Sequence, residues 1–341
     1  MNIYRIAAAG ALTLAVVSGV PTLASCSGSS ATRSENPDSI QPKEARRGRP
    51  GGPQLGSPGG GPAIDKSGDA QLQSMISEVV PKFRQLEYVD SVTGITMKYN
   101  LFEPVGADAA TAYPLVLFTA DASTPGVEFT TPLTQGYGAL VWATDDWQKE
   151  HPCYVIVPQY SGVAVNDAYE HTDEVDVVIR LLEDFVKEHN VDTDRLYTTG
   201  QSMGGMISMY YNVTYPTLFA ASLFVDCHWD TDCFAELARH TFTFVTAGKS
   251  GSSFSNIQAL EDAATADGVK YEYATWSAKL PQAEQDSLAA DMLAKGAPVN
   301  IINFTPKSVL PEDGKGSEHM YSFDYAYRLT PVRQWLFSQH K

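Results

Sequence analysis

Arg195-Leu196-Tyr197-Thr198-Thr199-Gly200-Gln201-Ser202-Met203-Gly204-Gly205 is the stretch on which the fold reading turns. An apolar run suited to a buried strand enters Gly-Gln-Ser-Met-Gly, and a helical pattern from Gly204 to Tyr211 leaves it. G-x-S-x-G between a strand and a helix describes a sharp turn that holds its serine in a strained backbone conformation. Side chains at 200 and 204 would collide in so tight a turn, which accounts for both glycines. The turn pushes the Ser202 hydroxyl out over the C-terminal edge of a sheet. The N-terminus of the following helix aims the Met203 amide at an oxyanion formed beside it. Ser202 is therefore the predicted nucleophile. The alternative, a glycine-rich turn without chemistry, does not explain the strand and helix on either side.

The surrounding pattern agrees with this placement. Tyr113 to Phe118 and Cys153 to Pro158 are continuous apolar runs of the kind buried in parallel sheets. Further strands are expected at Ala220 to Val225, Thr241 to Val245 and Val299 to Phe304. Helical periodicity covers Gln71 to Leu86, Thr172 to Glu188, Asn256 to Ala266 and Gln282 to Ala294. Tyr88 to Glu103 alternates around Thr93-Gly94 and predicts a hairpin. Strands alternating with helices predict an α/β-hydrolase fold: a mostly parallel sheet, helices on both faces, and an antiparallel N-terminal edge. Two segments stand out as possible roofs over a site. One is the aromatic stretch with Phe129, Tyr137, Trp142 and Trp147; the other is 271–298 with Trp276, read as an insertion. Plain packing of these aromatics is the alternative.

A serine hydroxyl needs a base, and histidine is the usual one. In this fold the chain order is serine, acid, histidine, with the histidine after the last strand. Of the seven histidines, His319 in Gly316-Ser317-Glu318-His319-Met320 meets that condition. His151, His171, His189, His228 and His240 come too early, and His340 lies at the end of the chain.

From about residue 88 to 338 the sequence resembles bacterial esterases related to poly(3-hydroxybutyrate) depolymerases and feruloyl esterases, including proteins described as predicted peptidases. The resemblance rests on the Tyr113 to Phe118 strand, His151-Pro152-Cys153-Tyr154-Val155-Ile156-Val157-Pro158-Gln159, Asp192-Thr193-Asp194-Arg195-Leu196-Tyr197, the Ser202 turn, and a late histidine before an aromatic helix. It implies hydrolysis of a small-molecule carboxylic ester with no cofactor and no metal. Two departures matter. Such proteins carry His-Gly after the Phe118 strand, where this chain has Thr119-Ala120-Asp121; the backbone amide of Ala120 or Asp121 then becomes the second oxyanion donor. They place an acid after the Thr241 to Val245 strand, where this chain has Thr246-Ala247-Gly248-Lys249-Ser250-Gly251 and no carboxylate. Asp226 and Asp230, after the preceding strand, are the candidate replacements.

The N-terminus reads as an export signal. Arg5 precedes the apolar run Ile6 to Val20, and Leu23-Ala24-Ser25-Cys26 follows. That run predicts a lipoprotein signal peptide over 1–25, with lipid on Cys26. Residues 26–68 are rich in Gly, Pro and Ser and read as a tether, leaving 69–341 as the hydrolase domain. Together these predict an extracytoplasmic, membrane-anchored lipoprotein of a bacterial cell envelope. The first 68 residues hold seven Lys/Arg against four Asp/Glu, and the remainder 17 against 36, within a net charge of −16. So acidic a body repels nucleic acid. Cys227 and Cys233 are close enough in sequence to pair in an oxidising compartment, whereas Cys153 sits in an apolar run. With no CxxC pair, a cysteine metal site is not expected.

Ester hydrolysis is thus the leading reading. A peptidase acting on short peptides shares the same residues. A catalytically impaired binding lipoprotein would fit the two departures, and an anchored solute-binding protein fits the N-terminus but not the Ser202 turn.

Overall fold

The computed structural model describes Leu55 and residues 63–108, 110–249 and 251–341. The expected signal peptide, Cys26 and most of the tether lie outside the described residues.

The chain opens with helix α1 (Ala70–Val79), capped by the Asp69 side chain, which accepts the Leu72 N–H at 3.0 Å. The sequence reading carried this helix to Leu86. Instead Val80-Pro81-Lys82 forms a 3-10 turn, and the chain extends into β1 (Arg84–Val89). A proline lacks the amide that a continuing helix would need. β2 (Thr96–Phe102) returns antiparallel to β1 through the expected turn, with Gly94 at φ 75°. β3 (Tyr113–Thr119) follows, then three short helices, α2 (Thr131–Thr134), α3 (Tyr137–Leu140) and α4 (Asp145–Glu150). β4 (Tyr154–Gln159), α5 (Asp173–Glu188), β5 (Val191–Gln201) and α6 (Met203–Thr214) form the centre. β6 (Ala221–Val225), α7 (Phe234–Leu237), β7 (Phe242–Ala247) and α8 (Ser252–Ala266) continue it. The last part is β8 (Tyr271–Trp276), α9 (Gln282–Leu293), β9 (Val299–Phe304), α10 (Glu318–Arg328) and α11 (Thr330–Phe337).

Among the described residues, nine strands make one sheet in the order β1-β2-β4-β3-β5-β6-β7-β9-β8. β2 runs antiparallel to both its neighbours, and every other pairing is parallel. This is the α/β-hydrolase architecture with the expected antiparallel edge. Strand side chains alternate between two cores. Val116, Phe118, Val155, Val157, Leu223 and Val245 face α1, α10 and α11 with Trp142 and Tyr327. Leu115, Leu117, Ile156, Leu196, Phe224 and Phe244 face α5 and α6. Both faces are covered, so the central strands read as unbroken apolar runs.

Most of the aromatics named for the two candidate roofs pack into the core, and only Phe129 of them is half-buried. Tyr137, Trp142 and Trp147 are buried in the core, and Trp142 stacks on Phe337 at 5.8 Å. The segment 271–298 is not an insertion: β8 pairs in parallel with β9, and Trp276 packs edge-on against Phe304. The Cys227–Cys233 pair does not form either; Cys227 is a free, buried thiol packed against α6.

Candidate active site

Ser202 joins β5 to α6 with φ 51° and ψ −121°, a region that side chains other than glycine rarely occupy. Sub-van-der-Waals packing accounts for the glycines around it. A Cβ on Gly200 would lie 2.3 Å from the backbone of Gly204, and one on Gly204 would lie 1.9 Å from the Thr119 carbonyl oxygen. The Ser202 N–H donates to the Val225 carbonyl at 3.0 Å, fixing the turn to β6. Its hydroxyl makes no cap to α6. It meets His319 instead: Ser202 Oγ and His319 Nε2 are 2.8 Å apart.

His319 lies in the first turn of α10, behind the loop that follows β9, with its ring edge-on to Phe323 at 5.0 Å. Its other nitrogen, Nδ1, is 3.6 Å from Asp226 Oδ2, an ion-pair distance longer than a hydrogen bond. Asp226 follows β6 directly, is 3% exposed, and adopts φ 38°, a left-handed conformation that aspartate tolerates better than most residues. One further residue, not anticipated from sequence, completes this cluster. The fully buried Ser322, one turn along α10, donates to Asp226 Oδ2 at 2.8 Å and also lies 2.7 Å from the His319 carbonyl. A serine three residues after a histidine carries no sequence signal, which is why it was missed. Burial pulls the His319 pKa down, but the Asp226 carboxylate, helped by Asp121 and Asp167, outweighs it, and the net shift is upward. The site is therefore built to favour a proton on this imidazole.

Asp230 is not part of this cluster. It caps the 3-10 turn Thr231–Cys233, accepting the Asp232 N–H at 3.1 Å, and pairs with no histidine among the described residues. It lies five residues beyond the end of β6, four past Asp226. Of the two aspartates weighed from sequence, the structure brings only Asp226 to His319.

The expected oxyanion segments also converge. Met203 opens α6, and the tight contact of Gly204 with Thr119 and Ala120 seats the segment after β3 against that helix end. Asp121 is buried, and its carboxylate accepts Gln201 Nε2–H at 3.0 Å, the Ser123 N–H at 2.7 Å, and the Ser123 hydroxyl. Its side chain thus ties this loop to the residue preceding Ser202. Where the resembled family has His-Gly, a buried carboxylate shapes the loop.

Ser202 and His319 open onto a cavity of about 550 Å³ that Met206, Cys227 and Leu310 also line. His228 is there as well, with Nε2 3.3 Å from Asp167 Oδ1 and its pKa lowered by burial. Chemically, the arrangement holds a hydroxyl against an imidazole nitrogen, with a carboxylate behind the ring and helix-terminal amides beside the hydroxyl. Such a set supports attack of an oxygen nucleophile on a carbonyl carbon.

The chain matches no protein-family model, and no curated protein matches it. Among solved structures it is similar to a thermostable esterase, with a TM-score of 0.61 and 22% identity over 77% of this chain and 64% of that one. This chain therefore spans less than two thirds of that esterase's length. It is also similar, more loosely, to a feruloyl esterase module from Clostridium thermocellum (TM-score 0.49, 14% identity, 82% and 94% covered). A ferulic acid esterase from the anaerobic fungus Anaeromyces mucronatus is a third (0.47, 14%, 74% and 91%). The first of these similarities and the sheet order above define the class: the chain has the α/β-hydrolase fold.

Proposed function

We propose that this protein is a serine hydrolase that cleaves carboxylic esters by acyl transfer. The observation that carries the reading is the 2.8 Å contact of a strained-turn serine hydroxyl with a histidine whose far nitrogen faces a buried aspartate. Ser202 Oγ attacks the ester carbonyl carbon while its proton passes to His319 Nε2. Asp226 stabilises the imidazolium so formed. The Met203 N–H and an amide from Ala120 or Asp121 take the charge on the tetrahedral oxygen. Collapse expels the alcohol, which leaves with the proton from His319, and Ser202 carries the acyl group. Water, deprotonated by His319, then attacks this acyl ester, and collapse frees the acid and restores Ser202.

The alternative of an impaired binding lipoprotein drew on the missing acid. Asp226, 3.6 Å from Nδ1, offers a carboxylate from another strand end and weakens that warrant; the absence of His-Gly after β3 stays as the other. No observation favours peptide over ester. Export and lipid attachment at Cys26 remain part of the proposal on the strength of Arg5, the apolar run Ile6 to Val20 and Leu23-Ala24-Ser25-Cys26.

The test is direct. Purified protein should hydrolyse a short-chain p-nitrophenyl ester and should be labelled by a fluorophosphonate at Ser202. A folded protein that does neither refutes the proposal.

A further inference from the structure

Part of the cavity wall is made by the segment that follows β7. After β7 the chain turns through Gly251 (φ 93°) and begins α8, whose first turn holds Ser252 and Ser253 against the cavity. This helix of 15 residues has no side-chain cap and no acid in its first turn, so its leading amides keep their hydrogen-bonding capacity. A second observation is independent of the helix end. Ser253 is only 8% exposed, yet its hydroxyl has no hydrogen-bond partner among the described residues. Lys307, at the rim, has no ion-pair partner among the described residues.

The acids around the same cavity are in the opposite condition. Asp226 accepts from Ser322 and faces His319. Asp167 pairs with His228, and Glu318 accepts the Lys307 backbone N–H. The uncommitted groups are thus donors: helix-terminal amides, two serine hydroxyls and an ammonium. Their complement is an acceptor-rich anion. The whole chain carries a net charge of −16, so the attraction is local and not a long-range field.

Resting on the esterase reading, we infer that the preferred substrates are esters whose acyl or alcohol part ends in a carboxylate, held at the start of α8 by Ser252, Ser253 and Lys307.

The test compares monomethyl glutarate, an anion at pH 7.5, with dimethyl glutarate, which has the same chain length and no charge. Acid release from each is followed in a pH-stat. The wild-type kcat/KM for the monoester should exceed that for the diester by about tenfold, the scale of one charge-assisted contact. Ser253→Ala and Lys307→Gln should each move that ratio toward unity; Lys307 is exposed, so its replacement does not threaten folding. A ratio at or below one in the wild type overturns the inference, as does a ratio that neither substitution changes. So does a protein that turns over p-nitrophenyl esters but neither glutarate. Absence of all hydrolysis and of fluorophosphonate labelling would instead mark the failure of the underlying esterase reading.

Discussion

Replacing Asp226 by Asn isolates the part of the site that sequence left open. Asn tolerates the left-handed backbone at this position, φ 38°, so the substitution changes charge more than shape. At 3.6 Å and an effective dielectric constant of about 20, a carboxylate and an imidazolium attract by about 4.6 kcal/mol. At about 1.4 kcal/mol per decade, this corresponds to about a thousandfold in the step that generates the imidazolium. An amide that turned its NH2 toward Nδ1 would add to the loss by favouring the wrong tautomer. The expected outcome is a fall in kcat of about a thousandfold with KM little changed, measured on a p-nitrophenyl ester. The pH profile supplies a second, independent reading. The base must be neutral, so activity falls as pH drops through the His319 pKa. Asp226 raises that pKa, so its loss should move the acidic limb of the residual activity to lower pH. A variant that folds, keeps more than about a tenth of wild-type kcat, and shows no such movement would refute the assignment. The site would then work as a serine–histidine pair.

Other outcomes follow from the same geometry. Ser202→Ala should abolish ester hydrolysis and fluorophosphonate labelling, and His319→Ala should cost nearly as much because the two act as one unit. Asp230→Asn should leave kcat within about threefold of wild type, since Asp230 caps a turn away from His319; a hundredfold loss would show that the acid had been misassigned. Gly204→Ala places a Cβ 1.9 Å from a carbonyl oxygen, which should cost about 3 kcal/mol and lower the melting temperature by roughly 6–12 °C, checked by thermal denaturation. Cys26→Ser should move the protein from membrane to soluble fractions without changing specific activity, and persistent membrane association would rule out the lipid anchor.

The sequence exposed those features that are dictated locally. The Ser202 turn is legible because only glycine fits at 200 and 204, and His319 because chain order excludes the earlier histidines. The acid was not decidable: Asp226 and Asp230 follow the same strand, and only the path of α10 separates them. The same reasoning applies to Ser322 and to the Asp121–Gln201 bond, whose partners are distant in sequence. β8 escaped notice because an edge strand is only partly buried. Tyr271-Glu272-Tyr273 lacks the unbroken apolar run that marks strands covered on both faces. The apolar spacing of α1 continues through Phe83 and Leu86, although the helix gives way at Val80-Pro81-Lys82.

The order in which the catalytic groups occur along the chain has a consequence for biosynthesis. Ser202 and Asp226 directly follow strands near the middle of the sequence, whereas His319 comes after the last described strand of the sheet. A chain growing from its N-terminus can therefore complete its nucleophile turn and much of its sheet while still lacking the base. No fragment ending before residue 319 can hydrolyse an ester by this route, however well it has collapsed. On the proposed mechanism turnover is a late event in the maturation of the molecule, and its appearance during refolding would report the docking of α10 rather than formation of the sheet.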